Sequence, residues 1–269
     1  MNVGAHARSF TPPQTTLEIC ANSLQSALAA EAGGADRIEL CSNLEQGGIT
    51  PSQGLIKHVL SVLGIPVHVL IRPRPGNFVY DNDYLSIMRA DIEVCQKLGA
   101  HGIAIGVLTA DGRVDVEQTR AFVELAKGMS VTFHRAFDDV VDQDEGLEDV
   151  ISTGCARILT SGGKDNILDG ELRLRRLVTR AGGRIVVMPG SGITTDNIRD
   201  LFDRTDAREF HASATVTLTP TKEEKSKSRF AVSRKRTDKH IVRKLRELLT
   251  LEAREKPNLH QGHQGYPTT

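Results

Sequence analysis

The 269-residue sequence contains no tryptophan, only three tyrosines and eight phenylalanines. With so few rings, an apolar fraction of 39% has to be carried by Ala, Val, Ile and Leu, which suits a soluble core of stacked aliphatic layers. No stretch approaches the ~20 consecutive apolar residues of a membrane-spanning helix, so no membrane partner is expected. Net charge is missing too: 34 basic residues balance 34 acidic ones, and no global field points to nucleic acid. The four cysteines form no CxxC, and in a chain this long they suit a reducing cytoplasm better than a disulfide framework. The opening stretch MNVGAHARSFTPPQTT has no apolar segment of the kind a signal peptide needs, so residues 1–15 read as a disordered lead.

Between about 16 and 214 the chain alternates β-rich runs with helical patterns. The strand candidates are LEIC (17–20), RIEL (37–40), VHVLI (67–71), GIAIGV (102–107), VTFHRA (131–136), ARILTS (156–161), RIVVM (184–188) and EFHAS (209–213). Helix starts are signalled by Thr50-Pro51, by Asp115 with Gln118, and by Thr194 or Thr195. AGGADRIEL, LGAHGIAIG, TGCARILTS and AGGRIVV repeat one pattern, a helix end followed by a glycine turn and a strand. Eight such units predict a single-domain α/β fold, the (β/α)8 TIM barrel. A doubly wound open sheet is disfavoured because no GxGxxG follows the first strand. HIVRKLRELLTL (240–251) reads as the closing helix and completes a barrel over 16–252. The basic insertion at about 216–239 reads as a mobile loop over the mouth or a solvated excursion, and 253–269 as a disordered tail.

Side chains two apart on a barrel strand share a destination. If Leu17, Ile19, Ile38 and Leu40 face the helices, then Glu18, Cys20, Arg37, Glu39 and Cys41 point inward. The same parity sends His68, Leu70, Arg72, Thr132, His134, Glu209, His211 and Ser213 inside. Unpaired charges are costly away from water, so Glu18, Arg37, Glu39, Glu209 and His211 are expected to form an interior network. The C-terminal mouth, where barrel active sites lie, collects Cys20, Cys41, Arg72, His134, Arg135, Asp138, Thr160, Ser161, His211 and Ser213. Cys95, Cys155, His58, His101 and His240 fall on helices or at the opposite end and read as structural or solvated. Lys164, on a loop, lacks the apolar strand position of a Schiff-base lysine.

Gly190, Ser191 and Gly192 precede a helix start at the place where many barrels bind phosphate, although the same triplet also makes a tight turn. Arg72 and Arg74 offer guanidinium groups to a second acidic function. Two chemistries therefore stay open. Cys20 and Cys41, at the ends of neighbouring strands, suit Cu(I) supported by His68 or His134, with Arg72 or a protonated His68 lowering the thiol pKa. Glu39 or His134 as acid–base group, with Arg72, Ser213 and the 190–192 loop as anion grip, suits an enzyme acting on a small phosphate or carboxylate.

The segments LEICANSLQSALAAEAGGADRIELCSNLEQGGITPS, IPVHVLIRPRPGNFVY, GVLTADGRVD, VTFHRAFD, RILTSGGKD, VVMPGSGIT and EFHAS together resemble the CutC family of copper homeostasis proteins, over essentially 17 to 214. The resemblance implies a (β/α)8 barrel, a cytoplasmic setting, copper binding and homo-oligomers. One departure is Pro75-Gly76, which stiffens the loop where the family has Gly-Gly.

Overall fold

The computed structural model describes residues 15–250. Eight parallel strands form the central sheet: β1 (Thr16–Ala21), β2 (Arg37–Leu40), β3 (Val67–Leu70), β4 (Gly102–Ile105), β5 (Ser130–Phe133), β6 (Arg157–Thr160), β7 (Val186–Pro189) and β8 (Glu209–Ala212). Each strand pairs with its neighbour in sequence, and β8 returns to pair with β1. A parallel bridge between Gly190 and His211 joins the last two strands and closes the cylinder. The expected (β/α)8 architecture is thus the one observed.

Helices α1 (Leu24–Gly33), α2 (Gln53–Val62), α3 (Asn82–Leu98), α4 (Val116–Leu125), α5 (Gln143–Thr153), α6 (Glu171–Ala181) and α7 (Ile198–Thr205) fill the crossovers. Their apolar faces meet the outward strand residues in one aliphatic layer containing Leu17, Ile19, Ile38, Leu40, Val67 and Val69. Cys95 and Cys155 lie in that layer, away from the barrel interior. Asp115 caps α4 through the Gln118 N–H, as its spacing predicts. Two helix starts differ from expectation. Ser52 rather than Thr50 caps α2, because Thr50 Oγ1 instead accepts the Arg72 N–H. Thr194 begins a turn, and the helix proper starts after Asn197.

The insertion is not a structureless loop. It folds as an antiparallel hairpin of β9 (Thr215–Leu218) and β10 (Arg234–Thr237), with a short helix α8 (Lys222–Lys227) between them. The hairpin is anchored where the Thr237 N–H donates to Ser26 Oγ of α1. The closing helix α9 (Lys239–Thr250) buries Val242, Leu245 and Leu249 and packs against α1. A Cβ on Gly33 would stand 2.5 Å from Val242 Cβ, so only glycine admits this close approach. Among the described residues no helix is long and apolar enough to cross a membrane. The expected lead and tail lie, apart from Thr15, outside the described residues.

Candidate functional site

Strand register brings the interior charges together. Glu18 stands level with Arg37 on one side and His211 on the other, while Cys20 is level with Glu39, and Glu39 with His68. Arg37 donates to Glu18 Oε2 at 2.5 Å and to Glu209 Oε2 at 2.5 Å. His211 Nδ1 lies 2.6 Å from Glu18 Oε1. Arg157, which parity alone did not single out, joins through Glu209 at 3.2 Å. Its position at the start of β6, in line with the charged starts of β2 and β8, was the available signal. Burial opposes charge at Glu18, yet Arg37 and His211 overcome it and hold the carboxyl well below the usual range. Burial likewise works against a charged His211, but the hydrogen bond to Glu18 and the nearby Glu39 raise its pKa above the ordinary value.

Glu39 stands apart from this network, without an ion pair to Arg37. Burial pushes its pKa up to about 7, the neighbouring Glu18 adds to the rise, and His211 only partly offsets it. Its Oε1 lies 3.9 Å from Cys20 Sγ. Cys20 Sγ in turn is 3.5 Å from Cys41 Sγ. Ligand atoms of Cys20, Glu39 and His211 all fall within 4.8 Å of one another, the one group of its kind among the described residues. Cys41 shares an apolar cluster with Cys20, Leu70 and Ala104, against which Leu44 packs.

The expected lowering of the thiol pKa does not occur at Cys20. Its hydrogen bond with Cys41, burial, and the negative neighbours Glu39 and Glu18 all raise it well above the ordinary thiol value. His68 is no protonated partner: burial lowers its pKa to about 4. Its Nδ1 faces the ion network, 3.8 Å from Glu18 Oε2, rather than the two thiols. His134 also stands outside the thiol group. Its Nδ1 accepts the Ala136 N–H at 3.0 Å, which leaves the ring proton on Nε2, and burial drives its pKa down to about 3.

A cavity of about 860 Å³ opens at the C-terminal mouth. Cys20, Glu39, Arg72, His134 and His211 line it, together with the loops after β7 and β8. Arg72 gives three of its five N–H donors to loop carbonyls, and its Nε has no partner among the described residues. Its Nη atoms donate to the carbonyls of Gln46, Gly48 and Gly76, and its guanidinium lies 5.1 Å from the Phe78 ring centre. Arg74 is turned onto Tyr80 and Tyr84 and donates to Asn77 and Val79. A Cβ on Gly190 would meet Leu159 Cδ1 at 2.4 Å, so that leucine side chain would have to move aside. Ser191 and Gly192 turn the chain with φ of 79° and 82°, and both border the cavity beside Ser213. Asp138 holds the loop after β6, accepting from Thr160 Oγ1, the Ser161 and Gly163 N–H groups and Arg135 Nε. Lys235, from the hairpin, also reaches the mouth, which its place in a basic run did not reveal.

Residues 15–216 match the model of the CutC family. The chain belongs to the CutC family. A family protein CutC of Xylella fastidiosa is 48% identical over 198 residues, 74% of each chain. The human copper homeostasis protein cutC homolog is 46% identical over 201 residues, covering 75% of this chain and 74% of its own. The CutC crystal structure from Streptococcus agalactiae superposes with a TM-score of 0.71 at 33% identity, over 74% of this chain and 99% of that one. Phosphoribosyl anthranilate isomerase from Thermotoga maritima, at 13% identity and a TM-score of 0.57, shares the barrel fold alone. The CutC match ends inside β9, so α8, β10 and the hairpin tip lie beyond it.

Proposed function

We propose that this CutC chain takes part in copper homeostasis by holding Cu(I) between Cys20 and Cys41 at the barrel mouth. The observation that carries the reading is a pair of buried free thiols 3.5 Å apart beside a carboxylate and an imidazole. Soft thiolates select Cu(I) over harder ions, and the family's human member is named a copper homeostasis protein. Cys20 is a thiol rather than a thiolate in the metal-free protein, so copper uptake displaces its proton and weakens as pH falls. Glu39 and His211 are the neighbours best placed to receive that proton or to complete the site; His68 and His134 are not. A reducing cytoplasmic setting belongs to the same reading, since the thiols have to stay free. Titration of Cu(I) under anaerobic conditions against a competing chelator tests it. The Cys20→Ser, Cys41→Ser double variant is expected to lose most retention, while Cys95→Ser and Cys155→Ser keep it. Equal retention by the double variant and the parent overturns the assignment.

The cavity volume favours one further reading, because about 860 Å³ far exceeds the space of an ion and suits a small organic ligand. In that reading Glu39 serves as acid–base group and the loop at Gly190, Ser191 and Gly192, with Ser213, receives a phosphate or carboxylate. Arg72 would shape the pocket with the three N–H groups it gives to loop carbonyls, while its remaining donors stay available to the anion.

A further inference from the structure

The balanced charge of the whole chain conceals a strong segregation. Residues 222–236, KEEKSKSRFAVSRKR, carry seven cations against two carboxylates, a local net charge of +5, so the rest of the chain carries the compensating −5. One of those carboxylates, Glu223, is paired with Lys227, and Glu224 is engaged in the capping box of α8. The cations Arg234 and Arg236 are exposed and stand opposite Leu218 and Val216 across the hairpin, so one face alternates guanidinium groups with aliphatic side chains. Phe230 and Val232, between α8 and β10, are 81% and 71% exposed. Arg229 lies 5.8 Å from the Phe230 ring centre. Neither apolar side chain finds cover on the barrel, and the segment lies past the CutC-matched residues.

Apolar side chains ringed by cations fit the interfacial zone of an anionic bilayer. There the rings and aliphatic groups enter the headgroup boundary while Lys and Arg meet lipid phosphates. A nucleic acid would use the cations and the single aromatic ring, but it offers nothing to Val232, Val216 or Leu218. We propose that the β9–β10 hairpin is a docking surface for an anionic phospholipid bilayer, with Phe230 and Val232 entering the headgroup region and Arg234, Arg236 and the lysines of α8 facing phosphates. Lys235 and Thr215 of the same hairpin border the cavity, so docking would bring the barrel mouth close to the membrane plane. The inference is independent of whether the mouth binds copper.

Co-sedimentation of the full chain with phosphatidylcholine vesicles, with and without phosphatidylserine, is the direct test. The parent is expected to bind only the phosphatidylserine vesicles, and less as salt rises. Each surface cation contributes about fivefold to partitioning, so Arg234→Gln with Arg236→Gln should weaken binding roughly 25-fold. Phe230→Ser with Val232→Ser should also release the protein, whereas Lys97→Gln, on the exposed side of α3, should leave binding unchanged. Unaltered melting temperatures confirm that these surface variants fold. Equal binding to both vesicle types, no binding to either, insensitivity to the hairpin variants, or preference for a single-stranded oligonucleotide over the vesicles would each overturn the proposal.

Discussion

At the scale of single residues, burial decides which groups can change charge. His134 shows the consequence for acid stability. In the folded chain burial and the nearby Arg72 hold its pKa near 3, against 6.5 for an ordinary histidine. Below pH 6.5 the unfolded chain therefore binds a proton that the folded chain refuses, and stability falls as pH drops toward 3. Each pH unit in that window removes about 1.4 kcal/mol, or about 2 kcal/mol between pH 6.5 and 5. In His134→Asn this share of the acid loss should vanish, leaving His68, which has the same sign, and Glu39 and His211, whose raised values act in the opposite direction. Urea unfolding at pH 7 and pH 5 measures it, and an unchanged pH dependence would refute the buried neutral imidazole. Alternation along the strands was enough to place His134, Cys20 and Glu39 inside. It could not show that Arg72 would give three of its five donors to loop carbonyls, since those acceptors come from chain segments whose path depends on the assembled barrel.

At the scale of elements, all eight barrel strands were legible because each is a short segment with apolar residues at alternate positions, bounded by glycine or a turn. Their ends were less so: the predicted VTFHRA stops as a strand at Phe133, because His134 caps a 3-10 turn, Arg135–Asp139, that begins the loop. The hairpin was the larger miss. TVTL alternates polar and apolar residues, but its partner RKRT carries no apolar residue at all and lies across a long excursion, so no sequence signal joined the two. That gives a prediction. Leu218 and Arg234 are cross-strand partners, so residues 219–233 can be replaced by a two-residue Asn-Gly turn without disturbing the pairing. None of the removed residues is buried. The shortened protein should unfold within about 0.5 kcal/mol of the parent in urea, as surface changes usually do. A large loss would show that the excursion supports the barrel.

At the scale of the whole molecule, closure depends on charges as well as on aliphatic packing. Glu18 from β1, Arg37 from β2, Arg157 from β6 and Glu209 with His211 from β8 tie strands that are distant in sequence into one ring. Parity and the cost of burying charge made such a network legible. Partner choice was not, because barrel stagger decides which neighbours stand level, and it gives Arg37 to Glu18 and Glu209 while leaving Glu39 to the mouth. Two substitutions separate these roles. Glu18→Ala removes the carboxylate shared by Arg37 and His211, leaving Arg37 only Glu209, on which Arg157 also draws, and His211 without its hydrogen-bond partner. The usual cost of breaking such a buried pair is about 3–5 kcal/mol. Glu39→Ala removes a carboxyl that burial holds half-protonated near pH 7 and that no ion pair requires, so its cost should stay near 1 kcal/mol. Denaturant unfolding of both variants at pH 7 should therefore separate them by at least about 2 kcal/mol, with Glu18→Ala the weaker protein. Equal losses, or a greater loss for Glu39→Ala, would mean that Arg37 draws on the mouth carboxylate after all, and the division between a structural ring below and a reactive mouth above would fail.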